Sequence, residues 1–349
     1  MTNRSPHNLT IAEAVELYIR RRRPSWKGET ERTYRRDLAD FEEYAAEEGI
    51  QTVDELSRWV IGGFTDYLLD QDYARVTVAG RQKSTRTWLK YLEAQGALDL
   101  GLHLAIDTIR TTDEEERSDQ QLPPTDAQDL LSFYRQSAAF RGTRRHALFE
   151  VLWHIGCRSS GIRALDLDDY EDGILKFRNR PDTGTRLKRG SKHERNADLS
   201  EEPREILELY IARERIDKRD ESGREPLFSS RQGRPVRSTV RGWMYEATQR
   251  CMAEECPHGK RRPNCEWVPR NHASKCPSTR PPHAIRSGSI TWQLNLGFDV
   301  KTVARRAGTT PSVIRRYYDD PDFDDELSRQ PDETGQIDIA KHLHPEDLE

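Results

Sequence analysis

Pro281-Pro282-His283-Ala284-Ile285-Arg286 reads as a helix entered through proline, with His283 and Arg286 three apart and therefore on one face. The unpaired N–H groups and positive dipole end of such a helix start suit a phosphodiester. Upstream, Ala147, Leu148, Val151, Leu152 and Ile155 recur at helical spacing, so Arg145 to Ile155 reads as a buried helix stopped by Gly156, with Arg158 just past the stop. Downstream, about thirty residues after Arg286, stands Arg315-Arg316-Tyr317-Tyr318-Asp319-Asp320.

Around this centre the chain divides. From Leu9 to about Leu104 the apolar residues keep a helical period (Tyr34, Leu38, Phe41, Ala45; then Leu56, Val60, Phe64, Tyr67), as in a small bundle. A further helical stretch, Val76 to Leu92, buries Val78, Trp88, Leu89 and Leu92 and turns Arg75, Arg86 and Lys90 outward, to a phosphate backbone or simply to water. Thr111 to Glu116 is polar and acidic, and Leu122-Pro123-Pro124-Thr125-Asp126 offers a turn and a helix start. Short strands are expected at 173–177 and 196–199, joined by a basic loop with Gly184, Lys188, Gly190 and Lys192; helices resume over 203–219 and 238–255. The expected fold is mainly α with a small antiparallel β-sheet. Its divisions are a helical domain over 1–110, a linker over 111–124, a mixed domain over 125–320 and an acidic tail over 321–349.

The net charge of -4 conceals a strong asymmetry. Residues 1–120 carry 17 Lys+Arg against 23 Asp+Glu, residues 121–320 carry 37 against 27, and residues 321–349 carry 2 against 10. A basic middle between acidic flanks fits a DNA-binding face or a merely solvated one. No apolar run reaches the roughly 18 residues of a membrane span, and the first residues lack the apolar core of a secretory signal, so a soluble, cytoplasmic protein without membrane partners is expected.

Taken in order, Arg158 after a helix-ending Gly-Cys, Lys192 in a hairpin, His-Ala-Ile-Arg at 283–286 and Tyr318 resemble the tyrosine recombinases, the phage integrase and Xer-like family. The resemblance covers the layout of residues 9–320. It implies a SAM-like core-binding domain followed by a catalytic domain, clamped together around double-stranded DNA, and a homo-tetramer on two sites. It also implies a nucleophilic Tyr318 that forms a 3'-phosphotyrosine without ATP, Arg158 and Arg286 on the non-bridging oxygens, and His283 assisting. Lys192 would protonate the leaving 5'-oxygen, with Lys188 in reserve. Counting nine residues on from Thr309, where the family pattern has histidine or tryptophan, selects Tyr318 over Tyr317. Thr309 and Gly161, the latter where the family has an acid, are the two departures. They leave open a weakened relative that only binds DNA, beside a type IB topoisomerase-like enzyme.

No cofactor is expected for catalysis. A separate cluster, Cys256, His258, Cys265, His272 and Cys276, offers soft ligands to a structural zinc ion, with Cys256, Cys265 and Cys276 completed by His258 or His272; the other reading is a Pro-rich insertion with unligated thiols. Cys157 and Cys251 read as packing residues. Arg231, Arg234, Arg237 and Arg241 are expected either on phosphates or at a solvated helix start. The tail from Asp322 to Glu349 reads as a solvated segment or a docking element for a neighbouring protomer.

Overall fold

The computed structural model describes residues 8–26, 28–112, 115 and 120–318. The acidic tail, Asp319 and Asp320, and much of the expected linker lie outside the described residues. The chain forms two compact units, 1–116 and 117–349. It is mostly helical, with one small antiparallel sheet. No described helix is long and apolar enough to cross a membrane.

The first unit consists of α1 (Ile11–Arg22), α2 (Gly28–Glu47), α3 (Arg58–Asp70) and α4 (Arg75–Ala94). Thr10 and Glu13 form a reciprocal capping box at the start of α1, and the Ser57 hydroxyl accepts from the Val60 N–H to begin α3. The periodic apolar positions meet in one core, where Phe41 packs edge-on to Phe64 and Trp88 at 5.0 and 5.3 Å. On α4, Val78, Trp88, Leu89 and Leu92 are buried while Arg75 and Lys90 face outward. Arg81, which periodicity alone does not single out, is buried against Asp40 at 2.7 Å. Buried Gln82 donates to the Asp107 carbonyl and accepts from the Ile109 N–H, fixing the chain beyond the bundle.

The second unit is built around α6 (Arg144–Ile155), preceded by α5 (Pro124–Gln136) and followed by α7 (Ser159–Ala164). Nine of the twelve residues of α6 are buried, as an all-round apolar helix requires. Strands β1 (Tyr170–Glu171), β2 (Ile174–Phe177) and β3 (Arg195–Asp198) pair antiparallel in that order, with Phe177 opposite Arg195. Then come α8 (Glu201–Arg213), α9 (Arg237–Ala247), α10 (Pro282–Asn295), α11 (Val300–Ala307) and α12 (Pro311–Tyr317). Helix α9 ends at Ala247, short of the expected 255. There the Thr248 hydroxyl turns back to the Met244 carbonyl, and its oxygen accepts from the Arg280 N–H, diverting the chain. Helix α10 lies against α6 and the Leu122 segment. A Cβ at Gly288 would fall 2.0 Å from the Leu122 carbonyl oxygen, so only glycine lets that segment seat itself by the Leu122 N–H bond to Ala284.

Candidate active site

Arg158 stands at the N-cap of α7 in extended conformation, immediately after the left-handed turn at Gly156 that ends α6. Its guanidinium donates to the Gly308 carbonyl at 2.6 Å. Arg286, the fifth residue of α10, is wholly buried and donates to the carbonyls of Gly156 (2.7 Å) and Ala307 (2.5 Å). Both arginines are thus held by carbonyls at the C-terminal ends of helices, where the negative dipole end favours a cation. The second amino nitrogen of Arg286 is buried and has no hydrogen-bond partner among the described residues, a costly state unless a ligand completes it.

Tyr318 follows α12. Its N–H donates to Ile314, its carbonyl accepts from Thr291 of α10, and its ring packs on a small core of Ile290, Leu294, Val303, Ala304, Ala307 and Ile314. These ties bring the phenol over Arg286, whose Nε lies 3.4 Å from the Tyr318 hydroxyl, and place its ring 6.4 Å from that of His283. Tyr317 instead carries the Arg316 guanidinium over its ring at 5.1 Å. Arg158, His283, Arg286 and Tyr318 therefore converge, from three segments spread over about 160 residues of chain. Lys192 is exposed in the Gly190–His193 turn and makes no hydrogen bond or ion pair with these four among the described residues. Of the two lysines, Lys188 is the one whose charge acts on His283.

The site is strongly cationic. Burial, then the charges of Arg286, Arg158 and Lys188, holds the His283 imidazole below its usual range. Burial, then Arg286, pushes Arg158 down to about 10, still a cation at neutral pH. Buried guanidinium groups beside a histidine, with cations as their main charged neighbours, suit a phosphate diester.

One residue that sequence reasoning missed, Arg195, completes the cluster. Arg195 of β3 stacks on Phe177 at 3.9 Å, donates to the Arg306 carbonyl at 2.8 Å and to the His193 carbonyl at 3.2 Å. The cross-strand pairing of Phe177 with Arg195 is the signal that could have found it. Gly161 sits against the Phe177 ring, where an added Cβ would meet it at 3.4 Å; the aromatic platform under Arg195 occupies the space beside it. Gly308 has φ +63°, and its missing Cβ would lie 2.6 Å from the Arg195 guanidinium. Gly308→Ala is expected to cost about 1–3 kcal/mol in a urea titration of the full chain, because the left-handed strain and the displaced Arg195 act together.

Residues 21–96 match the family model for the phage integrase N-terminal SAM-like domain. A tyrosine recombinase XerC of Herpetosiphon aurantiacus is 27% identical over 290 residues, covering 80% of this chain and 81% of its own length. Over most of its length the chain is similar to the tyrosine recombinases. A tyrosine recombinase XerD of Oceanobacillus iheyensis is 27% identical over 212 residues, 58% of this chain and 64% of the relative. In fold, the chain is similar to the Tn1549 transposon integrase solved with transposon right end DNA (TM-score 0.61, 16% identity, 94% of this chain and 99% of that one). It is also similar to lambda integrase solved as a dimer on a core site (TM-score 0.60, 12% identity, 93% and 78%).

The expected zinc site does not form. Among the described residues no three His, Cys, Asp or Glu side chains are placed to hold a metal, so Cys256, Cys265, His272 and Cys276 are not a ligand set. The insertion is ordered by other means. His258 bonds Ser278 at 2.7 Å and packs edge-on to Trp267, Gln249 donates to the Trp267 carbonyl, and Thr279 ties back to Ala273 and Cys276. Two tight turns, Arg262–Asn264 and Ala273–Lys275, punctuate the ligand series. The arginine series also divides: Arg231, Arg237 and Arg241 are exposed, but Arg234 is buried between Asp166 and Asp220 and takes the Arg163 carbonyl at 2.6 Å. It braces the loop after α7 rather than meeting phosphate.

Proposed function

We propose that this chain is a site-specific tyrosine recombinase that cuts and rejoins double-stranded DNA through a 3'-phosphotyrosine on Tyr318. The observation that carries the reading is the Tyr318 hydroxyl placed over Arg286, in a cluster of arginine and histidine whose strongest electrostatic neighbours are cations. The Tyr318 oxygen attacks a backbone phosphorus, the bond to the 5'-oxygen breaks, and the 5'-hydroxyl leaves with a proton. Attack gathers negative charge on the non-bridging oxygens, which Arg158 and the unpartnered nitrogen of Arg286 receive. His283, held below the usual imidazole range by burial and then by its cationic neighbours, accepts the phenolic proton. A hairpin lysine, Lys188 or Lys192, supplies the proton to the 5'-oxygen. The phosphodiester energy stays in the phosphotyrosine, so religation by the reverse displacement needs neither ATP nor metal-bound water.

The names of the relatives, Xer recombinases and DNA-bound integrases, support duplex DNA as the partner; a homo-tetramer on two sites is what the family resemblance implies. The departures from the family pattern do not disarm this arrangement: Arg158 is oriented by the Gly308 carbonyl without a carboxylate at 161. The test uses nicked duplexes cut from sequence flanking the gene, in which cleavage releases a short fragment and blocks religation. Wild-type protein should form an SDS-resistant adduct, with the nucleotide mapped by mass spectrometry to the peptide holding Tyr318. Retention of every duplex without an adduct on any would instead identify a DNA-binding relative.

A further inference from the structure

The turn between β2 and β3 ends on a histidine that the mechanism above leaves idle. Arg195 pins it in place, donating to the His193 carbonyl while the same guanidinium donates to Arg306. The turn that follows Arg306 supplies the two carbonyls that hold the other arginines, Ala307 to Arg286 and Gly308 to Arg158. One side chain thus fastens the His193 main chain to the corner that orients both guanidinium groups. The neighbouring carboxylate is spent elsewhere, since Glu194 accepts from the Asn179 N–H at 3.0 Å.

We infer that His193 is a catalytic residue of the cleavage reaction, donating a hydrogen bond to a non-bridging oxygen of the scissile phosphate. The inference rests on the reading given under Proposed function. The half-buried ring makes no hydrogen bond among the described residues. Burial, then the charges of Arg158, Arg189, Arg195 and Arg286, holds it below the ordinary imidazole range. A neutral imidazole has one N–H to give, and cations cannot receive it. The complementary group is an anion seated between Arg158 and Arg286, which is where a diester must lie for Tyr318 to reach it. No proton need leave His193; its part is charge stabilisation, and Thr309, with no ring, leaves that part to it.

Three proteins decide the matter on a nicked duplex that traps the wild type: wild type, His193→Ala and His193→Gln. His193→Ala should slow adduct formation by about 100-fold, with duplex affinity and thermal unfolding unchanged. His193→Gln, which keeps an N–H, should fall between, and free imidazole should restore part of the alanine variant's rate. Wild-type rates in His193→Ala would overturn the inference while leaving the phosphotyrosine reading intact. A slow variant that imidazole does not help and that unfolds earlier would overturn it in favour of a structural role. Absence of any adduct with wild-type protein would overturn both.

Discussion

Tyr318→Phe is expected to remove the covalent adduct, a fall of at least about 10^4-fold as for loss of a nucleophile, while duplex binding survives. Removing one hydroxyl leaves the ring in its small core and the main chain tied to Ile314 and Thr291, so nothing that shapes the site is lost. Tyr317→Phe should cleave at close to the wild-type rate, because its ring carries Arg316 while the hydroxyl beside Arg286 is that of Tyr318. The comparison is sharper than either substitution alone, since the two tyrosines are adjacent and each variant controls for the other's effect on α12. An adduct that persists in Tyr318→Phe and vanishes in Tyr317→Phe would transfer the nucleophile to Tyr317. Densitometry of the trapped species over time is the measurement.

The parts of the fold that were legible in sequence are those where one interaction dominates. Helix α6 announces itself because Ala147, Leu148, Val151, Leu152 and Ile155 recur at helical spacing, and Gly156 marks its end through a conformation that favours glycine. His283 and Arg286 were legible because proline and helical spacing set both on one face. Residues whose role comes from distant chain were not. Arg195 owes its place to Phe177 across the sheet and to carbonyls more than a hundred positions away, and nothing in its own neighbourhood says so. Arg234 looked like its exposed companions until Asp166 and Asp220 claimed it. Thiol and imidazole spacing at 256–276 likewise carries ligand identity but not geometry, and hydrogen bonds from Gln249 and Thr279 shape that insertion.

The largest effect on stability is expected away from the site, at Glu150 in the middle of α6. Its carboxylate is wholly buried and receives Arg135 of α5 at 2.7 and 2.9 Å, His146 at 3.1 Å and His154 at 3.2 Å, while Arg135 also reaches Glu202 of α8. Burial alone would raise this carboxyl; the hydrogen bonds from His146, His154 and Arg135 outweigh it and hold the group well below its usual 4.5. Removing the carboxylate takes the shared acceptor from buried His146, from His154 and from Arg135, which keeps only Glu202, so Glu150→Ala should lose about 3 kcal/mol in a urea titration. Glu150→Gln keeps the shape and part of the bonding and should lose less. The pH dependence has a definite sign. A carboxyl whose folded value lies below its unfolded one binds protons preferentially in the unfolded chain, so its stabilisation is fully present above about pH 4.5 and declines as pH falls toward the folded value. Wild type should therefore lose stability more steeply than Glu150→Gln on acidification below that point, and the two curves should draw together. Parallel curves would mean that Glu150 is not charged in the folded protein, and that α6 is held by packing alone.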